Sequence, residues 1–260
     1  RSKIILIYGP TASGKSNFAI KLSKKVNGEI INSDSMQIYK EIKILNARPK
    51  IKEIKNITHH LYGFHSVKKN FSTGDWVKKV LKIINQIQKK NKIPILVGGT
   101  GLYFKAILNG LAKIPTIPVK YRNKIRKQHL KIGQKKFYKN LIKLDPLAKS
   151  QINANDSQRS IRAFEVKKYT KISLFRWFEQ TKKYFNEKEF LKIYVGCPKE
   201  DLIRRIDRRV NNMISAGAVN EVKKFRRLKV NKDKSSNKII GISEISKFLD
   251  GEQNIDDTKV

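Results

Sequence analysis

Residues 9–16 read GPTASGKS, a complete G-x-x-x-x-G-K-[ST] motif that directly follows the apolar run Ile4–Tyr8 and precedes a stretch with helical periodicity. In such a strand–loop–helix, the glycines let backbone N–H groups point at phosphate oxygens while the helix offers its positive end. A glycine-rich turn without a ligand is the alternative, but the spacing and context favour a loop that holds a di- or triphosphate. Lys15 would lie against the phosphates and Ser16 on Mg²⁺, in a loop made of Gly9, Pro10, Thr11, Ala12, Ser13, Gly14, Lys15 and Ser16.

The net charge is strongly positive, because 58 Lys and Arg residues face 21 Asp and Glu residues and give +37 on 260 residues. A surface of this kind attracts polyanions, and nucleic acid is the natural candidate, with binding that weakens as salt rises. Coding bias is the alternative source of the lysine excess, since the chain is also rich in Ile and Asn. Arginines at particular positions are therefore better evidence than the total.

The sequence contains no run of about 18 apolar residues and no signal-peptide pattern, so we expect a soluble, cytoplasmic protein that does not enter a membrane. Its single cysteine, Cys197, excludes an intrachain disulfide, and we expect a buried thiol.

Strand-like apolar runs at residues 4–8, 29–32, 93–97 and 191–195 alternate with helical stretches. This alternation predicts an α/β fold with a parallel sheet. One predicted helix covers residues 75–90, capped by Ser72 or Thr73, and another covers residues 200–215. Between residues 111 and 189 the strand signal disappears, which predicts a helical insertion. We expect a catalytic body at 1–112 and 190–260, an insertion at 113–189, and a mobile loop at 229–237.

Asp34 follows the second predicted strand, in the segment NSDSMQIYK. Ligands of open parallel sheets bind at the carboxyl ends of the strands, so Asp34 would face the same crevice as the phosphate loop. A carboxylate there can hold Mg²⁺ or accept a proton from a substrate. A helix cap is the structural alternative.

Two further segments are candidate ligand contacts. Gly98 and Gly99 end the third strand, which lets the backbone approach a ligand and leaves Thr100 to present its hydroxyl and N–H; a tight turn is the alternative. Arg159 and Arg162 share a helix face in the insertion and could bind phosphates or stack on bases, unless they are ordinary solvated charge. Of the arginines between 205 and 209, one could reach the phosphate loop. We expect structural roles for His59, His60, Trp76 and Trp177.

Five segments in chain order resemble the bacterial tRNA dimethylallyltransferases, also called tRNA isopentenyltransferases: GPTASGKS, INSDSMQIYK, PILVGGTGLYFKA, NDSQRSIRAFEV and RRIDRRVNNM. The resemblance extends from about residue 4 to residue 251. It implies a P-loop NTPase-like parallel sheet with helices on both faces and an inserted all-helical domain that grips the anticodon stem-loop. The implied reaction transfers a dimethylallyl group from dimethylallyl diphosphate to the exocyclic amine of the adenosine just 3′ of the anticodon in tRNA.

The resemblance also implies site residues. Asp34 matches the general base, Thr100 matches a threonine near the reacting amine, and Lys15 and Arg209 would neutralise the diphosphate. The tRNA contacts would be Asp34, Ser35, Met36, Gln37, Thr100, Gln158, Arg159, Ser160, Ile161 and Arg162. The target base would be flipped into a channel between body and insertion. Mg²⁺ is the expected cofactor, bound by Ser16, and we expect a monomer.

The chain departs from the family pattern in three places. Residues 239–244 stand where the family has a Gly-Tyr-Arg-type sequence, Lys167 and Lys168 replace more apolar residues, and the sequence stops at Val260 whereas family members continue into an Arg-rich helix. Two rival functions share the phosphate loop: a P-loop small-molecule or nucleotide kinase, and a non-catalytic RNA-binding module. Against a kinase, the sequence has no convincing second acidic strand end and no Asn-Lys-x-Asp motif in the required order.

Overall fold

A computed structural model describes residues 3–49, 54 and 56–259 of the chain. These residues divide into two compact units, one formed by Arg1–Leu108 with Phe185–Val260 and the other by Asn109–Tyr184. The boundaries drawn from the sequence, at 113 and 189, fall a few residues later than these. We call the first unit the sheet unit and the second the helical unit.

The sheet unit contains five parallel strands in the order β3-β2-β4-β1-β5. The strands are β1 (Ile4–Tyr8), β2 (Gly28–Asn32), β3 (His59–His60), β4 (Ile93–Val97) and β5 (Phe190–Tyr194). The inner strands β1, β2 and β4 are almost entirely buried, as parallel strands covered on both faces are, and β1 and β4 consist mostly of Ile, Leu and Val. The α/β class and the four predicted strands are confirmed, each within one residue of its predicted bounds. The two-residue β3 was not predicted.

Helices follow the strands in the sheet unit. They are α1 (Lys15–Lys25), α2 (Thr73–Lys89) and α3 (Gly101–Asn109). Ser72 caps α2, as predicted, and forms a reciprocal capping box with Asp75. The apolar stripe of α2 buries Trp76, and its indole donates a 3.0 Å hydrogen bond to the Asn32 carbonyl at the end of β2. Trp76 is therefore a core residue, as expected.

The last part of the sheet unit is helical: α8 (Lys199–Ser215), α9 (Ala218–Arg227) and α10 (Ile242–Leu249), with short 3-10 turns at Glu187–Glu189, Ser235–Lys238 and Asp257–Lys259. Buried side chains of α9 and α10 pack with Ile38, Tyr39 and Ile42, which belong to the segment after β2. The prediction of a mobile loop at 229–237 is wrong at its end, because Ser236 is fully buried and donates to the Val67 carbonyl at 2.8 Å.

Every regular element of the helical unit is a helix, and the structure describes all its residues. The helices are α4 (Val119–Leu144), broken at Gly133 (φ 73°), α5 (Ala148–Gln151), α6 (Ser157–Thr170) and α7 (Leu174–Glu179). Their core is aromatic and aliphatic, centred on Phe137, Leu141 and Phe164, and Trp177 packs against it. Among the helices of both units that the structure describes, none has the length and apolar character of a membrane span.

Candidate active site

A cavity of about 230 Å³ lies where β1, β2 and β4 end, within the sheet unit. The phosphate loop and the start of α1 contribute Thr11, Ala12, Gly14, Lys15, Ser16 and Asn17. The ends of β2 and β4 contribute Asp34, Val97 and Gly98, and the remaining wall consists of Gln37, Ala47, Tyr62 and Arg209. The cavity is smaller than the roughly 300–1,000 Å³ of drug-sized ligand sites, so it suits a small ligand.

The phosphate loop has the backbone that its sequence demands. Gly9 has φ 151°, and a Cβ on it would lie 2.1 Å from the Val195 carbonyl oxygen, so no other residue fits there. Ala12 and Gly14 also have positive φ. Positive φ at alternate residues of a loop turns successive backbone N–H groups toward an anion. The Ser13 hydroxyl is buried without a hydrogen-bond partner in the described structure. A bound phosphate oxygen would suit such a group.

Lys15 and Arg209 give the cavity its positive charge. The Lys15 ammonium donates to the Gly9 carbonyl at 2.9 Å and to the Pro10 carbonyl, which holds it over the loop. Burial lowers the pKa of Lys15, an effect that the Asp34 carboxylate partly reverses and the Arg209 charge reinforces. Burial likewise lowers the pKa of Arg209, against the opposing influence of Asp34. Two desolvated cations beside one carboxylate leave an excess of positive charge for an anionic ligand.

One arginine of α8 reaches the phosphate site, as the sequence predicted. Arg209 lines the cavity, whereas Arg205 and Arg208 are exposed. Cys197, which precedes α8, is half-buried, so the expectation of a buried thiol is wrong. Its position after the edge strand β5 explains the difference, since three of the five residues of this strand are exposed.

The Asp34 carboxylate lies at the cavity and does not cap a helix. Its Oδ1 accepts a hydrogen bond from the Met36 N–H at 2.8 Å, which forms an Asx turn, and no helix begins between residues 35 and 49. Asn32 holds the Asp34 backbone by two bonds of 2.9 Å, one from its amide and one to its Oδ1. The helix-cap alternative is excluded, and a proton acceptor or a metal ligand remains.

Gly98 and Thr100 bring the ends of β2 and β4 together. A Cβ on Gly98 would lie 2.2 Å from the Ser33 carbonyl and 2.8 Å from the Asp34 nitrogen, so glycine is required for this approach. Thr100 Oγ1 accepts from the Ser35 N–H at 2.9 Å and donates to the Ser35 hydroxyl at 3.3 Å, while its N–H bonds the Ser33 carbonyl. The predicted presentation of these Thr100 groups to the crevice therefore needs correction: both hold the 33–35 segment, and Thr100 is not among the cavity residues.

The residues after β2 that were predicted to contact tRNA do not all lie at the cavity. Gln37 lines the cavity, and Met36 packs against the cluster formed with α9 and α10. Ser35 is half-buried and bonded to Thr100.

Sequence reasoning missed Tyr62 and Ala47. Tyr62 follows the strand β3, which has only two residues and was not predicted from the sequence. The rule that ligands bind at strand ends could therefore not be applied to it. Burial raises the pKa of Tyr62, and the Asp34 carboxylate raises it further, so the phenol stays protonated beside that group.

The described residues contain no cluster of three or more His, Cys, Asp or Glu side chains that could hold a metal ion. The cavity instead offers the exposed Ser16 hydroxyl and the Asp34 carboxylate, both hard oxygen donors. Mg²⁺ is commonly held by one or two protein oxygens together with substrate phosphates and water. These residues therefore fit Mg²⁺ that arrives with a phosphate ligand.

In the helical unit, the predicted contacts lie on the first two turns of α6. Gln158 and Arg159 are exposed, and Arg159 pairs with Asp156, which caps the helix. Ser160 is fully buried and accepts a 3.2 Å hydrogen bond from Gln134, and Ile161 packs on the core, so these two side chains point inward.

Arg162 belongs to a cluster that the sequence did not reveal. It lies 3.8 Å from the buried carboxylate of Glu165, which also pairs with Arg122 at 3.3 Å and Arg126 at 3.8 Å. Three arginines around one carboxylate leave a positive surface on α4 and α6. The four-residue spacing of Arg122 and Arg126 was the available signal.

Comparisons with known proteins agree on one family. The protein-family model described as "IPP transferase" matches residues 37–259 of the chain. A tRNA dimethylallyltransferase of Pelagibacter ubique is 56% identical over 259 residues, covering 100% of this chain and 83% of the relative. One of Rickettsia massiliae is 40% identical, covering 99% of this chain and 71% of the relative.

Solved structures give the same result. The full-length tRNA isopentenylpyrophosphate transferase of Bacillus halodurans has a TM-score of 0.69 and 30% identity, covering 100% of this chain and 81% of its own. A eukaryotic dimethylallyltransferase acting on tRNA has a TM-score of 0.85 and 27% identity, and this chain spans 65% of its length. None of these similarities points to a kinase.

Proposed function

The chain belongs to the IPP transferase family, and we propose that it transfers a dimethylallyl group from dimethylallyl diphosphate to the exocyclic amine of the adenosine just 3′ of the anticodon in tRNA. The observation that carries the proposal is the cavity, which joins a phosphate loop, two desolvated cations and one carboxylate. A phosphate loop in a kinase orients a phosphoryl group for transfer. Here the same loop would hold diphosphate as the leaving group.

The phosphate loop and its two cations stabilise the departing diphosphate. Negative charge builds on the bridging oxygen as the allylic carbon–oxygen bond breaks, and Lys15 and Arg209, which line the cavity, would receive it together with the loop N–H groups. Such contacts strengthen toward the transition state, so they accelerate the reaction as well as bind the donor. Ser16 would hold Mg²⁺, which supplies further neutralisation of the diphosphate.

Asp34 serves as the proton acceptor. The exocyclic nitrogen forms its bond to the allylic carbon, the carbon–oxygen bond breaks, diphosphate leaves, and the amine proton passes to the Asp34 carboxylate. An aromatic exocyclic amine is barely basic, so its proton becomes acidic only as the new bond forms, and a fixed carboxylate is then sufficient. The Asx turn with Met36 and the two Asn32 bonds keep this group in place. Thr100 contributes by fixing Ser35 next to it.

The tRNA substrate contacts both units. An adenine stacked in the anticodon loop cannot reach a carboxylate at the end of a sheet, so the base leaves its stack before reaction. Gln158, Arg159 and Arg162 bind the RNA, with Arg122 and Arg126 as additional cations on the same unit. The protein acts as a monomer in the cytoplasm, where its tRNA substrate is found.

The test is incubation of the protein with unmodified tRNA and either dimethylallyl diphosphate or ATP, followed by mass analysis of the digested nucleosides. We expect one adenosine to gain a dimethylallyl group, with diphosphate released only in the presence of the prenyl donor. A phosphorylated product formed with ATP would support the kinase instead. Binding of tRNA without any product from either donor would indicate an RNA-binding module.

A further inference from the structure

We propose that Glu221 is a positioning residue of the active site: its carboxylate fixes the turn at residues 43–45 and, through that turn, the cavity wall formed by Gln37 and Ala47. The catalytic consequence rests on the transferase function proposed above. The holding of the turn does not depend on that function and can be tested by itself.

The carboxylate of Glu221 collects hydrogen bonds from three consecutive backbone N–H groups. Oε1 accepts from Lys43 at 2.6 Å and from Ile44 at 3.0 Å, and Oε2 accepts from Ile44 at 3.1 Å and from Leu45 at 3.0 Å. Hydrogen bonds to an ionised acceptor are about twice as strong as neutral ones. A residue of α9 thus determines the direction of a turn that lies more than 170 positions earlier in the chain.

Bonds from this turn lead directly to the cavity. The Gln37 amide donates to the carbonyls of Asn46 at 2.9 Å and of Ala47 at 3.4 Å, and both Gln37 and Ala47 line the cavity. The Asn46 amide donates to the Met36 carbonyl at 2.6 Å. Met36 in turn donates its N–H to Asp34. A shift of the turn would therefore move one wall of the cavity and the segment that orients the proposed base.

Attachment of α9 does not require this carboxylate. The buried side chains of Val222 and Phe225 already pack α9 in the cluster that includes Ile38 and Ile42. Within the turn itself, the other backbone bonds are from Ala47 to the Ile44 carbonyl at 2.9 Å and from Arg48 to the Lys43 carbonyl at 3.3 Å. Apolar packing fixes distance but not direction, so the specific contribution of Glu221 is the orientation of the turn.

Arg48 gives a second reason for a carboxylate at this position. Burial lowers the pKa of Arg48, and the negative charges of Glu221 and Glu41 act in the opposite direction. The Arg48 guanidinium occupies the space beside Gly63, where a Cβ would lie 1.2 Å from it, and Gly63 follows the cavity residue Tyr62. Loss of the Glu221 charge would thus remove one of the two negative charges that favour the ionised form of this guanidinium.

The experiment compares Glu221→Gln with Asp250→Asn in the full chain. Asp250 pairs with Arg226 of α9 at 2.6 Å, so its variant also removes one acidic charge near α9 but leaves the 43–45 turn intact. Amide hydrogen exchange at residues 43–45, thermal stability, kcat, and KM for tRNA and for dimethylallyl diphosphate are measured for both. Glu221→Gln should speed exchange at 43–45 and lower kcat/KM for tRNA, each about tenfold or more, at temperatures where the protein remains folded.

Four results decide between these possibilities. Unchanged exchange at 43–45 in Glu221→Gln would show that the carboxylate does not hold the turn. Faster exchange with kinetic constants equal to those of Asp250→Asn would show that the turn does not shape the active site. To separate direction from stability, Val222→Ala should lower the melting temperature but leave exchange at 43–45 closer to wild type than Glu221→Gln does. A wild-type chain without transferase activity would remove the proposed function, and the exchange data would still decide whether Glu221 fixes this wall.

Discussion

The cations of the sheet unit and those of the helical unit stand in different surroundings. Lys15 and Arg209 line a cavity, and burial lowers the pKa of both. Arg159 is 75% exposed, and the arginines around Glu165 are 39–47% exposed. Burial also lowers the pKa of Arg162, but the Glu165 carboxylate beside it acts in the opposite direction. Charges in a desolvated cavity act at fixed geometry and are little screened, whereas solvated charges contribute small and salt-dependent increments. Single substitutions should therefore have large effects in the sheet unit and modest effects in the helical unit.

The sharpest test of the sheet unit is Asp34→Asn. Asparagine keeps the size of the side chain and its acceptor for the Met36 N–H, but it cannot take the amine proton. We expect kcat to fall by about 10²–10⁴-fold while the affinities for tRNA and donor stay near wild type. Steady-state kinetics together with equilibrium binding of both substrates measures the two quantities.

The same variant separates the other roles of this carboxylate. If Asp34 chiefly held Mg²⁺, donor affinity would fall and added Mg²⁺ would partly restore the rate. A normal turnover number would remove the base from the mechanism and would break the contrast between the two units.

The helical unit is tested by replacing Arg159 and Arg162 with Ala together. We expect tRNA affinity to fall about tenfold and its salt dependence to flatten, by up to about 0.7–0.9 in slope for each lost phosphate contact. Binding of dimethylallyl diphosphate should hardly change, because its proposed site lies wholly in the sheet unit. Glu165 keeps Arg122 and Arg126 as partners in this variant, so its buried charge is not left alone.

A charge-matched control is the double variant Lys135→Ala with Lys136→Ala, which removes two exposed positive charges from α4. The arginine pair should matter more, because guanidinium groups bind phosphates in a bidentate geometry. Equal losses in the two double variants would show that net charge alone governs tRNA binding. Loss of both substrates in the arginine variant would indicate misfolding.

Features that depend on local sequence were predictable. The phosphate loop and the strands beside it follow from glycine spacing and from apolar runs, because a parallel strand buried on both faces leaves little choice of residue. Asp34 was placed at the site by the rule that ligands bind at strand ends, and the structure confirms that it lines the cavity.

Features that depend on contacts between distant segments were not predictable. Tyr62 reaches the cavity from a two-residue strand that has no periodicity of its own. Thr100 was expected to face the crevice, yet its hydroxyl is used to hold Ser35, a partner 65 positions away. The same holds for Glu165, whose place in the helical pattern of α6 gives no hint of the two arginines that reach it from α4.

The smallest effect is expected at Glu29, a buried carboxylate that lies away from the cavity. It tests whether burial alone makes a carboxylate important for turnover. Glu29 is 2% exposed in its side chain, near the start of β2, with His60 at 2.7 Å and Lys92 at 3.0 Å. Burial raises its pKa, but the hydrogen bonds from His60 and Lys92 outweigh that effect and leave the pKa below the usual value.

A carboxylate whose pKa is depressed by folding stabilises the protein above its unfolded pKa, near 4.5, and that stabilisation is lost as pH falls through the folded value. Glu29→Gln should therefore lower the melting temperature at pH 7 and make its decline below pH 4.5 shallower, with kcat unchanged at temperatures where the variant is folded. Melting curves between pH 3 and 7 measure this, with Glu187→Gln as the control, because Glu187 is 73% exposed in its side chain. An acid-stability profile parallel to wild type would mean that Glu29 is not ionised in the fold. A fall in kcat as large as that of Asp34→Asn would mean that burial of charge, and not position at the strand ends, distinguishes the active site from the rest of the sheet unit.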